Sequence, residues 1–287
     1  MRVLLAKIVG DAKLLFLSLA GLMLVFPAVF LWASGKISVP AFAEFMTNAL
    51  PREWQKVWGI PISQVATPAG RAALVFVHPL VTTSAVVWAI ARGSDCVSGE
   101  IGRGTMEMLL AQPVRRVALY TAQALSTIVG SLLLAAAVWF GTGVGLQVAP
   151  LYDGVAAGLY LPPAVNLFAL MVCVGGIAAF ASSWDSQRWR TVGLVSAVYV
   201  ASVALAVFGS VAESWGWINY LTFMSAYKPQ TMVALPEEAW SVLAHQEGIS
   251  GATIGLGGLQ IVLLGLGLAF YVIGGVIFCR REIPAPV

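Results

Sequence analysis
The pattern of this chain is long apolar runs separated by short polar breaks. A helix needs about 20 mostly apolar residues to cross a bilayer. Six windows reach that length: Leu14–Ala33, Ala72–Ala91, Leu119–Gly141, Leu161–Ala181, Thr191–Val211 and Leu259–Phe278. None contains Asp, Glu, Lys or Arg. Hydrocarbon offers no partner to an open backbone, so each window is expected as a helix. The predicted fold is an all-α integral membrane protein with six transmembrane helices, forming a single domain over residues 1–287.

Between the windows the polar residues are unevenly shared. With the N-terminus placed inside, the inner segments hold Arg2, Lys7, Lys13, Arg92, Arg103, Arg115, Arg116, Arg188, Arg190, Arg280 and Arg281. The outer segments hold Lys36, Arg52, Lys56, Arg71 and Lys228. Eleven against five puts both termini on the cytoplasmic side of an inner membrane. The first window exceeds the roughly 7–15 apolar residues of a secretory signal, and no small-residue cleavage site follows it, so it reads as a retained span.

Residues 1–13 alternate at the helical repeat. Leu4, Leu5, Ile8, Val9 and Ala12 share one arc, and Arg2, Lys7, Asp11 and Lys13 share the other. This is either an amphipathic helix lying in the lipid headgroup layer, basic face toward anionic lipid or a soluble partner, or a plain basic flank.

Residues 34–71 and 212–258 form long outer segments. The first carries Phe42, Phe45, Met46, Ala49 and Leu50 at helical spacing, then Trp54, Val57 and Trp58. The second carries Trp215, Trp217, Tyr220, Phe223 and Tyr227, then Trp240, Leu243 and His245. Aromatic residues gather at membrane interfaces, so short interfacial or re-entrant helices are expected here, with room for an outer partner. Gly141 with Gly145 is one of several small-residue pairs spaced for close helix approach.

The best-formed polar element lies between the second and third windows. The helix is expected to break near Gly99, Gly102 and Gly104, with Thr105 as N-cap. Met106 to Gln112 then makes a two-turn helix that stops before Pro113. Met106, Leu109 and Leu110 share one face and Glu107 another, while Arg115 and Arg116 open the next span. The product is a short projecting helix with an apolar tip and charged flanks, suited to a cleft in a soluble protein.

Glu100, Gly104-Thr105, Leu109-Leu110, Pro113 and Arg116 form an E…GT…LL..P..R pattern. It resembles the signature between the second and third spans of type-2 ABC exporter permeases, nearest the gliding-motility and nitrous-oxide-reductase-maturation permeases. The six spans, the basic N-terminal helix and the long segment before the last span extend the resemblance. It implies a permease that pairs with a second copy and docks a separate ABC ATPase subunit. Glu100, Gly104, Thr105, Met106, Glu107, Leu109, Leu110, Pro113 and Arg116 would serve that docking, and Arg2, Lys7 and Lys13 would mark the interface helix. ATP and Mg would be bound by the partner and no cofactor by this chain.

Composition agrees. Hydrophobic residues are 59% of the 287 and charged residues 10%. Soluble domains carry about 25% charged residues. The net charge of +3 gives no footprint for nucleic acid. Cys96, Cys173 and Cys279 form no CxxC pair, and Met106 with Met108 is not a clustered soft-metal site. No P-loop occurs, the nearest fragment being Gly35-Lys36 followed by Ile37. GxSxG and HExxH are absent, which weighs against an intramembrane enzyme. Two readings other than a permease stay open: that enzyme, and a scaffold passing force to an outer partner.

Among polar residues in the windows, His78 before Pro79 is a functional candidate by position, or is paired with a neighbouring hydroxyl. Asn166 and Gln260 are expected to bond helix to helix, and Gln123, Ser126 and Thr127 to line a path or join helices. An uncharged interior fits an amphipathic or lipid-like cargo.

Overall fold
The computed structural model describes residues 2–49, 60–111, 114–245 and 252–282. The helices are α1 (Arg2–Ser34), α2 (Val39–Ala49), α3 (Ile62–Val65), α4 (Pro68–Val77), α5 (Pro79–Ser94), α6 (Thr105–Leu110), α7 (Arg116–Val148), α8 (Leu161–Trp184), α9 (Arg188–Val211), α10 (Pro229–Ala234) and α11 (Leu256–Arg280). Six segments are long and apolar enough to cross a membrane, and each expected window lies inside one.

Helix α8 is the axis of the bundle. Leu167, Leu170, Met171 and Val174 are all but fully buried, and α5, α7, α9 and α11 pack around it. Helices α1 and α7 form a close pair because a glycine faces α1 at two successive turns. A Cβ on Gly141 would run into the Leu24 carbonyl, and one on Gly145 would meet the Leu31 side chain at 2.8 Å. Exposed Leu14, Leu132, Val200 and Val272 put apolar side chains on the outer surface of α1, α7, α9 and α11. Water would penalise such a surface, whereas lipid accepts it.

Three expectations change. Residues 2–13 are helical, but they run without a break into the first span as part of α1. At 33 residues, this single helix is about 50 Å long, so the stretch extends the span beyond the bilayer core rather than lying flat against it. Ile8 and Ala12 are buried against the protein itself while Val9 is 59% exposed.

The second span is two helices. Proline disfavours the helical conformation in the residue ahead of it. His78 accordingly adopts φ −62°, ψ 132°. Pro79 then opens α5 at a position where its missing N–H costs nothing.

The outer segments are only partly as expected. Helix α2 buries Phe42 and Met46, and Arg71, itself buried, stacks on Phe42 at 4.1 Å. Its guanidinium donates to the carbonyls of Ser34 (2.9 Å) and Ile37 (2.7 Å), capping the end of α1. Leu50, Trp54, Val57 and Trp58 lie outside the described residues. The later segment contains the 3-10 turns Glu213–Leu221 and Phe223–Ala226, then α10. In place of a further helix it forms the strands β1 (Leu243–His245) and β2 (Ala252–Ile254), with Ala244 opposite Thr253. Strands of three residues are too short to show a period in sequence.

Candidate functional site
The end of the bundle that holds Lys7, Arg116 and Arg281 is built around two carboxylates. Helix α5 passes into a widened π-type turn, Asp95–Gly99, and then a last turn, Glu100–Gly102. Such turns release backbone N–H groups from the helix ladder. Ser182 of α8 satisfies two of them, its hydroxyl accepting from Val97 N (3.1 Å) and Ser98 N (2.8 Å) while donating to the Ser94 carbonyl (2.9 Å). The turn is thereby pinned to the axial helix and aims Asp95 and Glu100 at fixed partners.

Glu100 is 1% exposed, and a carboxylate needs compensation to remain charged there. Lys7 donates to Oε2 at 2.8 Å, Arg103 donates to Oε1 at 3.2 Å, and the Thr105 hydroxyl also donates to Oε2. Asp95 accepts from Arg103 Nη1 at 3.0 Å, lies 3.2 Å from Arg188 Nε and lies 3.4 Å from Arg92 Nη1. Arg92 also donates to Gln123 at 2.9 Å. Burial alone would lower the Arg103 pKa, but Asp95 and then Glu100 outweigh it and hold the guanidinium above its ordinary value. Four cations thus meet two carboxylates, joining α1, α5, α7 and α9 at one point.

From this cluster the chain turns into α6. Gly104 has φ 69°, in the left-handed region that glycine enters without steric cost. Gly104, and not Thr105, is the N-cap, and no side chain caps the helix. The left-handed residue swings the Thr105 hydroxyl back to Glu100, so it closes the turn instead.

The two faces of α6 divide as expected, but the Met106 face packs inward on the protein itself instead of projecting. Met106 is 1% exposed and packs with Ile8, Cys96, Val97, Leu119 and Tyr120, and Leu109 is half-buried against the same cluster. Short helices carry no sign of which face meets their own protein. Glu107 and Ala111 are exposed, and Met108 is 65% exposed. The Leu110 side chain, Gln112 and Pro113 lie outside the described residues. Arg116 points away from α6 and donates to the Arg281 carbonyl at 2.6 Å. Arg281 in turn donates to the carbonyls of Ser183 (3.0 Å) and Asp185 (3.1 Å), clasping the end of α11 to the α8–α9 turn. Lys13 is exposed, whereas the Arg2 side chain lies outside the described residues.

The other candidates make local contacts. His78 is the N-cap of α5, its Nδ1 accepting from Leu80 N at 3.2 Å rather than pairing with a hydroxyl, and its ring lies 4.6 Å from that of Phe26. Asn166 does not join two spans. It holds the turn that leads into α10, donating to the Ala226 carbonyl at 3.1 Å and accepting from Lys228 N at 3.0 Å. Gln260 of α11 does reach another span, at the Pro162 carbonyl of α8 (3.5 Å), and also meets Met232 of α10.

Asp95, Arg92, Arg188 and Ser182 were not singled out from the sequence. Arg92 with Asp95 and Glu100 with Arg103 stand at i, i+3, a spacing that marks ion pairs on one helix face. The family description "ABC-2 family transporter protein" matches residues 38–283. No curated protein matches the chain. The match takes in α2, the five spans that follow the first, Glu100 and α6, and the chain therefore belongs to the ABC-2 family of transporter proteins, as the membrane-spanning permease part of an ABC transporter.

Proposed function
We propose that two copies of this permease form one export pathway, and that each docks a separate ATPase through the exposed face of α6. The end bearing Lys7, Glu100 and Arg116 faces the cytoplasm of an inner-membrane protein, and the first turns of α1 lie along the same ATPase. ATP and Mg belong to the ATPase. Glu107, Met108 and Ala111 make the contact, while Met106 and Leu109 anchor α6 to its own bundle.

The observation that carries this reading is the tie between α6 and the spans. Glu100 holds Lys7 of α1 and Thr105 of α6 at once, and Asp95 reaches α9 through Arg188. A helix so fixed moves as one body with three spans, so closure of the ATPase pair would displace them together. Basic residues at this end agree with the charge bias of cytoplasmic segments.

Co-purification tests the reading. The permease, expressed with a partner ABC ATPase, is expected to retain that ATPase, and Met108→Asp combined with Glu107→Arg is expected to lose it while the permease stays folded in the membrane. Retention unchanged in the double variant would overturn docking through this face.

A further inference from the structure
A cleft of about 1280 Å³ opens between α5 and α9. Ordinary small-ligand pockets hold roughly 300–1,000 Å³, so this one is larger. Its walls are apolar, with Val86, Ile90 and Val192 among them. Its mouth is basic and lies at the Glu100 end, where Arg103 and Arg188 line it beside Trp189.

Those two arginines are part of the excess of cations over carboxylates, and they are the most exposed of the four. Their side chains are 42% and 43% exposed. Among the described residues, Arg188 Nη1 and Arg103 Nε carry no hydrogen bond. Trp189 is 72% exposed, as suits an indole at the headgroup level.

Length narrows the occupant further. The cleft follows α9 from Arg188 to Val200. That stretch is about 18 Å long at roughly 1.5 Å per residue. Half of a roughly 30 Å hydrocarbon core is about 15 Å. The cleft is therefore one leaflet deep, with its charge at the leaflet's surface. A soluble anion would leave the apolar wall uncovered, and an apolar helix of a second copy would leave Arg188 Nη1 and Arg103 Nε without an acceptor.

The geometry points to an anionic glycerophospholipid of the cytoplasmic leaflet as the occupant, its phosphate at Arg103 and Arg188 and its acyl chains along α5 and α9. The assignment of that leaflet rests on the orientation given under the proposed function; binding itself needs no ATPase.

Gly193 supplies the test. It lines the cleft, and a Cβ built there meets nothing within 4 Å, so a large side chain enters open space without disturbing packing. The permease alone in detergent is titrated with dioleoyl phosphatidylglycerol, dioleoyl phosphatidylcholine or inorganic phosphate. Retained lipid per chain is read by native mass spectrometry. The wild type is expected to hold one phosphatidylglycerol at least tenfold more tightly than phosphatidylcholine, and inorganic phosphate is expected not to displace it. Gly193→Trp is expected to lose that lipid at least tenfold with its thermal unfolding unchanged, and Arg188→Gln to lower the preference for phosphatidylglycerol. Equal retention of the two lipids would overturn the inference. So would displacement by phosphate, or a Gly193→Trp variant that keeps the lipid while losing self-association, which would give the cleft to a second copy. Failure of the wild type to retain the ATPase, with lipid retention intact, would contradict docking through α6 and leave this inference standing.

Discussion

The Lys7 ammonium lies 2.8 Å from the Glu100 carboxylate, across a sequence separation of 93 residues. The contact ties the start of the first span to the segment that leads into α6. It is asymmetric, for the Lys7 side chain is 34% exposed and that of Glu100 only 1%. Water can replace Glu100 around Lys7, but it cannot replace the cations around Glu100.

The number of partners lost, three donors at Glu100 against one carboxylate at Lys7, orders two substitutions. Glu100→Ala takes an acceptor from Arg103, from the Thr105 hydroxyl and from Lys7, and is expected to cost about 2–4 kcal/mol. Lys7→Ala leaves Glu100 with Arg103 and Thr105 and is expected to cost about 0.5–1.5 kcal/mol. Thermal unfolding in detergent measures both, and a larger loss for Lys7→Ala would contradict the arrangement.

Met106 and Met108 stand two residues apart on opposite sides of α6. Met106→Asp places a carboxylate among Ile8, Val97 and Tyr120. It is expected to destabilise the protein by about 3 kcal/mol or more. Met108→Asp is expected to change stability by no more than about 0.5 kcal/mol, since its side chain faces outward. Comparing the two unfolding midpoints checks which face is inside.

Gly141 decides how closely α1 approaches α7. Gly141→Leu forces the Leu24 backbone away. The expected cost is about 1–3 kcal/mol. Gly10→Ala, where a Cβ meets nothing within 4 Å, is the control and is expected to be neutral or slightly stabilising. Equal effects at the two sites would argue against close packing of these helices.

At the opposite end of the bundle, Arg71→Ala removes the donors to the carbonyls of Ser34, which is buried, and Ile37, which is partly so. A loss of about 2–4 kcal/mol is expected, with Arg71→Lys restoring part of it. Full recovery with lysine would show that charge, not the two-pronged guanidinium, is what that end requires.

The spans were legible because a bilayer demands about 20 apolar residues in a row, and that demand is written locally. Glu100 was legible through its neighbours Gly104 and Thr105. Its partner Lys7 was not, nor was the Asp95–Arg188 pair, because each comes together only when separate spans pack. The tip of α6 was read inside out: a wheel of two turns separates Met106 from Met108 without saying which of them Tyr120 and Ile8 will cover. Thr105 looked like a cap until the left-handed Gly104 turned its hydroxyl toward Glu100. His78 before Pro79 stood out as a polar residue inside a span, yet only the fold makes His78 the cap of α5 against Phe26.

A cysteine at the exposed tip of α6 reports docking and sidedness together. Met108→Cys, in a background where Cys96, Cys173 and Cys279 are replaced, is treated in membranes that also carry the ATPase. Docking through this tip predicts a cross-link to the ATPase and protection from an impermeant thiol reagent added outside the cell. Labelling from outside, or a permease that transports while Met108→Cys touches no ATPase, would contradict it.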